Sequence, residues 1–441
     1  MHDLRGVLAR LQALRSKFEA LLASAQKKAA AAPDSRPTRP TRLRELTGFG
    51  ANPGNLRMFA YAPEHLPPKA PLVIALHGCT QSADAYDRGS GWSSLADRLG
   101  FAIVYPQQQP TKNPKNCFSW FLPGDIARGH GEALSIKEMV EHAVRTFDAD
   151  RSKVFVTGLS AGGAMASVML ATYPELFAGG AIIAGLPYGC ARNVQQAFQA
   201  MFAEERERAQ TLGDRVRAAS GYRGPWPKLS VWHGTGDPIV KPSNGEAIIR
   251  QWINVHGLSD TPSYQESLGS HTRRVWSDEE GQALIEAFSI DGMTHGVPLA
   301  ITTDGESCGT AGAFFLDVGI SSTHRIARFW RIDELATERP RLAPFVSAPP
   351  AMPSNQDAGL VPLTRTLGSG CGTSHGSTED PVAEPDQRRT RSTLNPNDII
   401  AAAFKAAGLP TPTKTSSGAT PRVDPGPIIA AALKAAGLAQ H

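Results

Sequence analysis

The chain has 441 residues, 41% of them hydrophobic, and its 45 lysines and arginines nearly balance its 41 aspartates and glutamates. This apolar content excludes a wholly disordered chain, and the even charge balance excludes a dedicated nucleic-acid binder. No apolar run reaches the ~18–20 residues that a membrane-spanning helix needs. The basic excess is local, because residues 1–45 hold ten basic and four acidic side chains.

Residues 1–28 are predicted to form a basic amphipathic helix. Apolar residues recur there at intervals of three and four, which places them on one helical stripe. Charged residues interrupt this stripe throughout, so the segment lacks the solid apolar block of a standard signal peptide. We interpret it as a helix docked on the body or on a partner, or alternatively as an interfacial helix for a membrane or hydrophobic particle. Residues 29–45, with three prolines, are predicted to be an extended linker.

The central region, residues 46–333, alternates between short β-rich runs and helical segments. Apolar strands separated by helices indicate an α/β fold with a doubly wound, mainly parallel sheet. The predicted strands are Pro71–Leu76, Phe101–Tyr105, Lys153–Thr157, Gly180–Ala184 and Leu229–Trp232, and the clearest helices are Glu132–Phe147 and Ala161–Tyr173.

Residues 334–441 are predicted to be a low-complexity, mostly disordered tail. Residues 336–441 contain 14 of the 34 prolines, together with runs of serine, threonine and glycine, and cannot build a core of their own. Two segments, Ile399–Leu409 and Ile428–Leu438, match at ten of eleven positions and are predicted to be short helices. They are either passive, self-docked segments or paired recognition helices that gain avidity from duplication.

A candidate nucleophile lies at Ser160, in the sequence Gly158-Leu159-Ser160-Ala161-Gly162. A β-rich run precedes this G-x-S-x-G motif and a helix-forming run follows it, which is the context of a nucleophile elbow. Small flanking residues allow the sharp turn that exposes the serine hydroxyl at the carboxyl edge of the sheet. The alternative is an ordinary glycine-rich turn.

A nucleophile elbow predicts an acid and then a histidine later in the chain. Asp237 follows the strand LSVW in a glycine-rich loop, and His295 lies between glycines in a loop after an apolar run. These loops would bring both side chains to Ser160, with Asp237 orienting the imidazole of His295. The weaker alternatives are Asp291 and Asp304 for the acid and His233 and His324 for the base.

An oxyanion hole needs two backbone N–H donors. Ala161 follows the nucleophile and is expected to supply one, and Cys79, after an early strand, is the candidate for the other, with Gly78 or Thr80 as alternatives in register. The predicted chemistry is acyl transfer through a serine acyl-enzyme. Because histidines and cysteines lack ligand spacing, we expect no metal and no cofactor.

A series of motifs in this order resembles the polyhydroxybutyrate depolymerase family of α/β-hydrolase esterases, which includes feruloyl and acetylxylan esterases. The motifs are LHGCTQSADAYDRGSGW, NCFSWF, GHGEALSI, VFVTGLSAGGAMA, AGLPYGCA, HGTGDPIV, GMTHG and FFLDVGISSTHRIARFW. The resemblance assigns the catalytic roles to Ser160, Asp237 and His295. Many relatives have Ala-Trp-Pro after the histidine where this chain has Gly296-Val297-Pro298. The resemblance implies that the missing aromatic lined the substrate mouth.

The resemblance also implies a substrate groove, disulfides and a location. Trp92, Trp120 and Tyr188 fit an acyl or polymer-chain groove or simple core packing, and polar groups such as Gln81 would suit sugar hydroxyls. The family is typically secreted, which favours disulfides, and we expect Cys79 to pair with Cys117 and Cys190 with Cys308. An intracellular protein with free thiols is the alternative.

The function expected from the resemblance is hydrolysis of poly(3-hydroxybutyrate)-like polyesters or oligomers. A feruloyl or acetylxylan-type carbohydrate esterase is the alternative within enzymes. A non-catalytic protein that binds polymer granules or surfaces is the alternative of another class, and the terminal helices would then mediate that association.

Overall fold

The computed structural model describes residues 4–30, 41–202, 207–301 and 308–337. The repeated segments 399–409 and 428–438 and nearly all of the predicted tail lie outside these residues. The described strands are β1 Arg44–Leu46, β2 Arg57–Tyr61, β3 Leu72–Leu76, β4 Ala102–Gln107, β5 Val154–Leu159, β6 Gly179–Ile183, β7 Lys228–Gly234, β8 Tyr264–Leu268, β9 His271–Ser277, β10 Ala283–Ile290, β11 Val297–Leu299 and β12 Phe315–Asp317. The described α-helices are α1 Leu4–Ala30, α2 Ala83–Ser90, α3 Trp92–Leu99, α4 Pro123–Ile126, α5 Gly131–Thr146, α6 Ala161–Thr172, α7 Val194–Phe202, α8 Ala209–Ser220, α9 Ser243–His256, α10 Ser322–Phe329 and α11 Ile332–Thr337.

Ten of the described strands form one sheet in the order β1-β2-β4-β3-β5-β6-β7-β10-β9-β8. The six strands from β4 to β10 in this order are parallel to one another, and the strands at both edges are antiparallel. The mainly parallel, doubly wound sheet expected from the sequence is therefore confirmed. Chain order reverses between β3 and β5, and ligands of such sheets bind at the carboxyl edge beside this reversal.

The central strands are buried along their whole length because helices cover the parallel sheet. Every residue of β3, β5 and β6 is buried, and parallel strands of this kind appear in a sequence as continuous apolar runs. The edge strand β8 has no fully buried residue. Its polar sequence explains why the sequence analysis did not predict it.

Helix α1 packs on the body of the protein. Phe18 and Leu22 are buried, and the ring of Phe18 meets that of Phe198 in α7 with 5.7 Å between centroids. The Gln26 side-chain amide donates a hydrogen bond to the Thr80 hydroxyl at 3.1 Å. The helix ends at Ala30, two residues beyond the predicted end. Among the described residues, no helix is both long and apolar enough to cross a bilayer.

Two buried histidines are expected to make folding sensitive to acid. Burial lowers the pKa of His77 to about 4 and that of His256 to about 4. The unfolded chain takes up these protons near pH 6.5, so the free energy of unfolding should fall as the pH drops from about 6.5 towards 4. Urea unfolding at pH 7 and pH 5 measures this loss. His256→Gln should reduce the loss, whereas the exposed-site control His65→Gln should not, and equal pH slopes in all three proteins would contradict the prediction.

Candidate active site

Ser160 occupies a sharp turn between β5 and α6. Its backbone has φ 57° and ψ −117°, a positive φ that few non-glycine residues adopt. A Cβ atom on Gly162 would lie 2.2 Å from the carbonyl oxygen of Leu76, and one on Gly158 would lie 2.3 Å from the carbonyl oxygen of Gly162. Only glycine fits at these two positions, so the G-x-S-x-G pattern follows from the packing of the turn.

The turn places Ser160 at the amino terminus of α6. The Ser160 amide donates to the carbonyl of Ile183 at 2.9 Å, which ties the turn to the neighbouring strand β6. Ala161 is the first residue of α6, and the first amides of a helix have no acceptor within it. Their partial positive charge lies beside the serine.

The loop after β3 offers one available amide beside this turn. The Gly78 amide donates to Gln81 Oε1 at 2.8 Å, and the Thr80 amide donates to the carbonyl of Lys115 at 2.5 Å. Within the described parts of the chain, the Cys79 amide donates no hydrogen bond. Of the three alternatives in register, Cys79 is the one whose N–H is available to a ligand.

A disulfide fixes this loop to the segment that follows β4. Cys79 and Cys117 form the bond expected from the family resemblance, so that pairing is confirmed. The pairing of Cys190 with Cys308 is wrong. Cys308 is a buried free thiol 3.8 Å from the Ser321 hydroxyl oxygen, and burial raises its thiol pKa.

A buried carboxylate that the sequence analysis missed supports the same segment. Glu132 is fully buried and accepts hydrogen bonds from the Ser119 amide at 2.8 Å and from Gln108 Nε2 at 2.7 Å. Lys112 Nζ lies 3.2 Å from it. Burial raises the pKa of Glu132, and the positive charge of Lys112 opposes that rise. The detectable signal was an acidic residue one turn before Ile136, on the apolar face of α5.

Asp237 is held in the loop after β7 with both carboxylate oxygens engaged. Oδ1 accepts from the amides of Ile239 at 2.8 Å and Val240 at 3.0 Å. Oδ2 lies 2.7 Å from His295 Nδ1 and 3.4 Å from His233 Nε2. Burial alone would raise the pKa of Asp237, but the charge and hydrogen bonds of His295 and His233 outweigh it and hold this pKa well below the usual range.

His295 follows β10 in a loop that is bonded to the loop carrying Asp237. The Gly236 amide donates to the carbonyl of Met293 at 3.1 Å, and a Cβ atom on Gly234 would lie 2.2 Å from the same oxygen. These contacts bring His295 beside Asp237, with 5% of the histidine exposed. Among the described contacts, the Ser160 hydroxyl makes no hydrogen bond to the imidazole, and this bond is often long in ligand-free catalytic sites.

The rival acids and bases lie elsewhere or make other contacts. Asp291 is exposed, and its amide donates to His271. His324 belongs to α10, where it meets Arg98 at 2.8 Å. His233 Nε2 lies 2.9 Å from the carbonyl oxygen of Val240. Asp304 lies outside the described residues.

The predicted substrate residues divide into core and loop positions. The expectation that Trp92 lines the mouth is wrong, because it is 1% exposed and stacks on Trp330 with centroids 5.8 Å apart. Trp120 lies three residues after Cys117 and is 7% exposed, and Tyr188 is half-buried in the loop after β6. The side-chain oxygen of Gln81 accepts the hydrogen bond from the Gly78 amide and is therefore occupied within its own loop.

Neither the side chain of residue 297 nor the cavity found at the other edge of the sheet forms part of the candidate active site. Val297 is 1% exposed in β11 and its amide donates to the carbonyl of Phe314, so position 297 faces the interior of this chain. A cavity of about 260 Å³ is lined by Lys153, Lys228 and Trp330. It lies where β5 and β7 begin, at the opposite edge of the sheet from Ser160.

Removing the loop disulfide is expected to destabilise the protein. Replacing Cys79 and Cys117 together by serine should lower the free energy of unfolding by about 2–4 kcal/mol, because the unfolded chain regains the freedom of a closed loop. Urea unfolding measures the loss. Cys308→Ala, at a thiol outside the disulfide, is the control and should cost less. An unchanged unfolding midpoint in the double serine variant would contradict a structural role for the bond.

The doubly wound sheet, the strained serine turn at its carboxyl edge and the Asp–His pair define the fold class as an α/β-hydrolase. A family model described as "Esterase PHB depolymerase" matches residues 59–312. Poly(3-hydroxyalkanoate) depolymerase C of Paucimonas lemoignei is 47% identical over 66% of this chain and 70% of its own length. Acetylxylan esterase of Coprinopsis cinerea is 37% identical over 58% of this chain and 69% of its own.

The solved structure of an acetyl xylan esterase from Aspergillus awamori shares the fold, with a TM-score of 0.57 and 26% identity over 66% of this chain and 99% of that one. The chain belongs to the polyhydroxybutyrate depolymerase family of esterases. It is a serine hydrolase that acts on carboxylic ester bonds.

Proposed function

We propose that Ser160, His295 and Asp237 form the catalytic triad of this esterase. The observation that carries the proposal is the 2.7 Å contact between His295 Nδ1 and Asp237 Oδ2. The His295–Asp237 pair lies at the same edge of the sheet as Ser160. A carboxylate on Nδ1 favours the tautomer in which Nε2 is unprotonated and available to the serine hydroxyl.

The geometry supports a two-step acyl transfer. Ser160 Oγ attacks the ester carbonyl while His295 Nε2 takes the hydroxyl proton, and the amides of Cys79 and Ala161 stabilise the oxyanion. Collapse of the tetrahedral intermediate breaks the ester bond, and the imidazolium returns the proton to the leaving alcohol oxygen. Water then attacks the acyl-enzyme, again with His295 as base, and releases the carboxylic acid and free Ser160.

Polyesters of 3-hydroxyalkanoic acids, or their oligomers, are the proposed substrates. The 47% identity to a poly(3-hydroxyalkanoate) depolymerase supports this class. The loop chemistry also favours it over a carbohydrate ester. Gln81 Oε1 accepts from the Gly78 amide, so the side-chain oxygen that would suit a sugar hydroxyl is occupied within the loop. Trp120 and Tyr188, in the loops after β4 and β6, are the aromatic groups proposed to line the acyl groove.

Side-by-side turnover of a hydroxybutyrate trimer, methyl ferulate and acetylated xylan tests the substrate class. The proposal predicts the highest kcat/KM on the trimer. Preference for methyl ferulate or acetylated xylan would assign the enzyme to the carbohydrate esterases instead. If no ester is turned over while the protein still adsorbs to polymer granules, a binding role replaces the catalytic one.

We also propose that the enzyme works outside the reducing cytosol. The Cys79–Cys117 disulfide supports this location, because such bonds persist in oxidising compartments. Thiol alkylation of protein taken from culture fluid and from cell lysate tests it. We expect the oxidised form in the culture fluid. Protein confined to the lysate with both thiols alkylated would contradict it.

A further inference from the structure

Helix α1 contacts the body on two sides of the nucleophile. On one side, Phe18 packs against Phe198, and Lys17 Nζ lies 4.7 Å from the ring centroid of Phe202. Phe198 and Phe202 both belong to α7. On the other side, Gln26 donates to the hydroxyl of Thr80, the residue after the proposed oxyanion donor Cys79. One helix therefore joins the two walls of the candidate active site.

Sheet order places the nucleophile between these two contacts. Thr80 follows β3 and α7 follows β6, and β5 lies between those strands. Two strand spacings are about 10 Å, and the nine residues from Phe18 to Gln26 span about 12 Å of helix. This stretch of α1 is thus long enough to cross the carboxyl end of β5, where Ser160 lies.

The loop that carries Asp237 is close to α7 as well. The Lys241 amide donates to the carbonyl of Met201 at 2.9 Å, and Asn244 Nδ2 donates to the carbonyl of Ala200 at 2.9 Å. Because Lys241 and Asn244 follow soon after Asp237, α7 lies beside the acid loop. The path of α1 from α7 to Thr80 therefore runs from the acid side of the site to the oxyanion side.

Burial agrees with a covered site. Ser160 is 8% exposed, His295 5% and Asp237 3%. Leu22, midway between Phe18 and Gln26, is 5% exposed and shares their face, because residues four apart lie on one side of a helix. Ala20, on the opposite face of this part of α1, is exposed.

We infer that α1 is a displaceable cover over the active site, and that its apolar stripe is the surface that binds hydrophobic polyester. The inference rests on the proposed function, because a solid polyester is a substrate too large to pass beneath a helix. The stripe that docks on the body, which includes Phe18 and Leu22, is the face that a basic amphipathic helix presents to a hydrophobic interface. Polyester therefore competes with the body for α1, and binding uncovers Ser160.

Labelling of Ser160 by a small fluorophosphonate in the full-length chain tests the cover. Leu22→Asp places a charge on the docked face and should raise the labelling rate about tenfold by populating the open state. The matched control Ala20→Asp adds the same charge on the exposed face and should change the rate less than twofold. Phe18→Ala removes the buried ring that packs against Phe198 without adding a charge. It should act in the same direction as Leu22→Asp and serves if that variant does not fold.

Dispersed poly(3-hydroxybutyrate) particles test whether the apolar stripe of α1 binds polyester. The particles should raise the labelling rate of the wild-type protein severalfold and leave Leu22→Asp unchanged. Equal labelling of wild type, Leu22→Asp and Phe18→Ala, or a wild-type rate that particles do not raise, would overturn the inference. If Ser160 is labelled neither in the wild type with particles nor in Leu22→Asp and Phe18→Ala, the proposed function itself is overturned, so the two failures are distinguishable.

Discussion

Replacing Ser160 with alanine is expected to lower kcat for a hydroxybutyrate oligomer by about a million-fold. Loss of a serine nucleophile has an effect of this size because the histidine and the acid act only through it. The fold should survive, since alanine is smaller and the Ser160 amide keeps its hydrogen bond to the Ile183 carbonyl. Steady-state turnover together with a thermal melt measures both quantities.

Ser167→Ala is the matched control for this substitution. Ser167 lies on α6 and donates to the carbonyl of Leu186 at 2.8 Å. Its loss should lower stability slightly and leave turnover within a few-fold of the wild-type value. Activity of Ser160→Ala within a hundredfold of wild type would show that another group forms the acyl intermediate.

Changing Asp237 to asparagine should lower kcat by about ten thousand-fold with the geometry intact. The amides of Ile239 and Val240 require an acceptor and would hold the asparagine carbonyl oxygen. The asparagine NH2 group would then face His295 Nδ1 and favour the tautomer protonated on Nε2. That imidazole cannot accept the proton of the serine hydroxyl.

Asp291→Asn separates this assignment from its rival. Asp291 is an exposed acid four residues before His295, and its substitution should leave kcat unchanged. We expect the same melting temperature for both variants within a few degrees. A large loss in Asp291→Asn with full activity in Asp237→Asn would transfer the role of the acid to Asp291.

Local chemistry explains why the sequence predicted the sharp serine turn and the sheet. The Ser160 turn depends on neighbours within two positions, Gly158 and Gly162, whose hydrogen side chains fit between backbone carbonyls. The strands β3, β5 and β6 are buried throughout and so have the continuous apolar sequences that identify them. Both signals are contained in short stretches of chain.

The errors concern contacts between distant parts of the chain. Trp92 is apolar and aromatic in either environment, and only its partner Trp330, more than two hundred residues later, shows that it belongs to the core. The pairing of Cys190 failed for the same reason, because cysteine spacing does not determine distance in space. Glu132 was missed because its amide partner on Ser119 belongs to a loop whose path the sequence does not reveal.

The crystal structure of the full-length protein after reaction with a fluorophosphonate ester is the measurement that bears most directly on catalysis by Ser160, His295 and Asp237. We predict phosphorus bonded to Ser160 Oγ, with the phosphoryl oxygen about 2.7–3.1 Å from the amide nitrogens of Cys79 and Ala161. His295 Nε2 should lie within hydrogen-bond distance of the adduct, with Asp237 still on Nδ1. An adduct on another side chain, or an imidazole that remains out of reach of the modified serine, would contradict it.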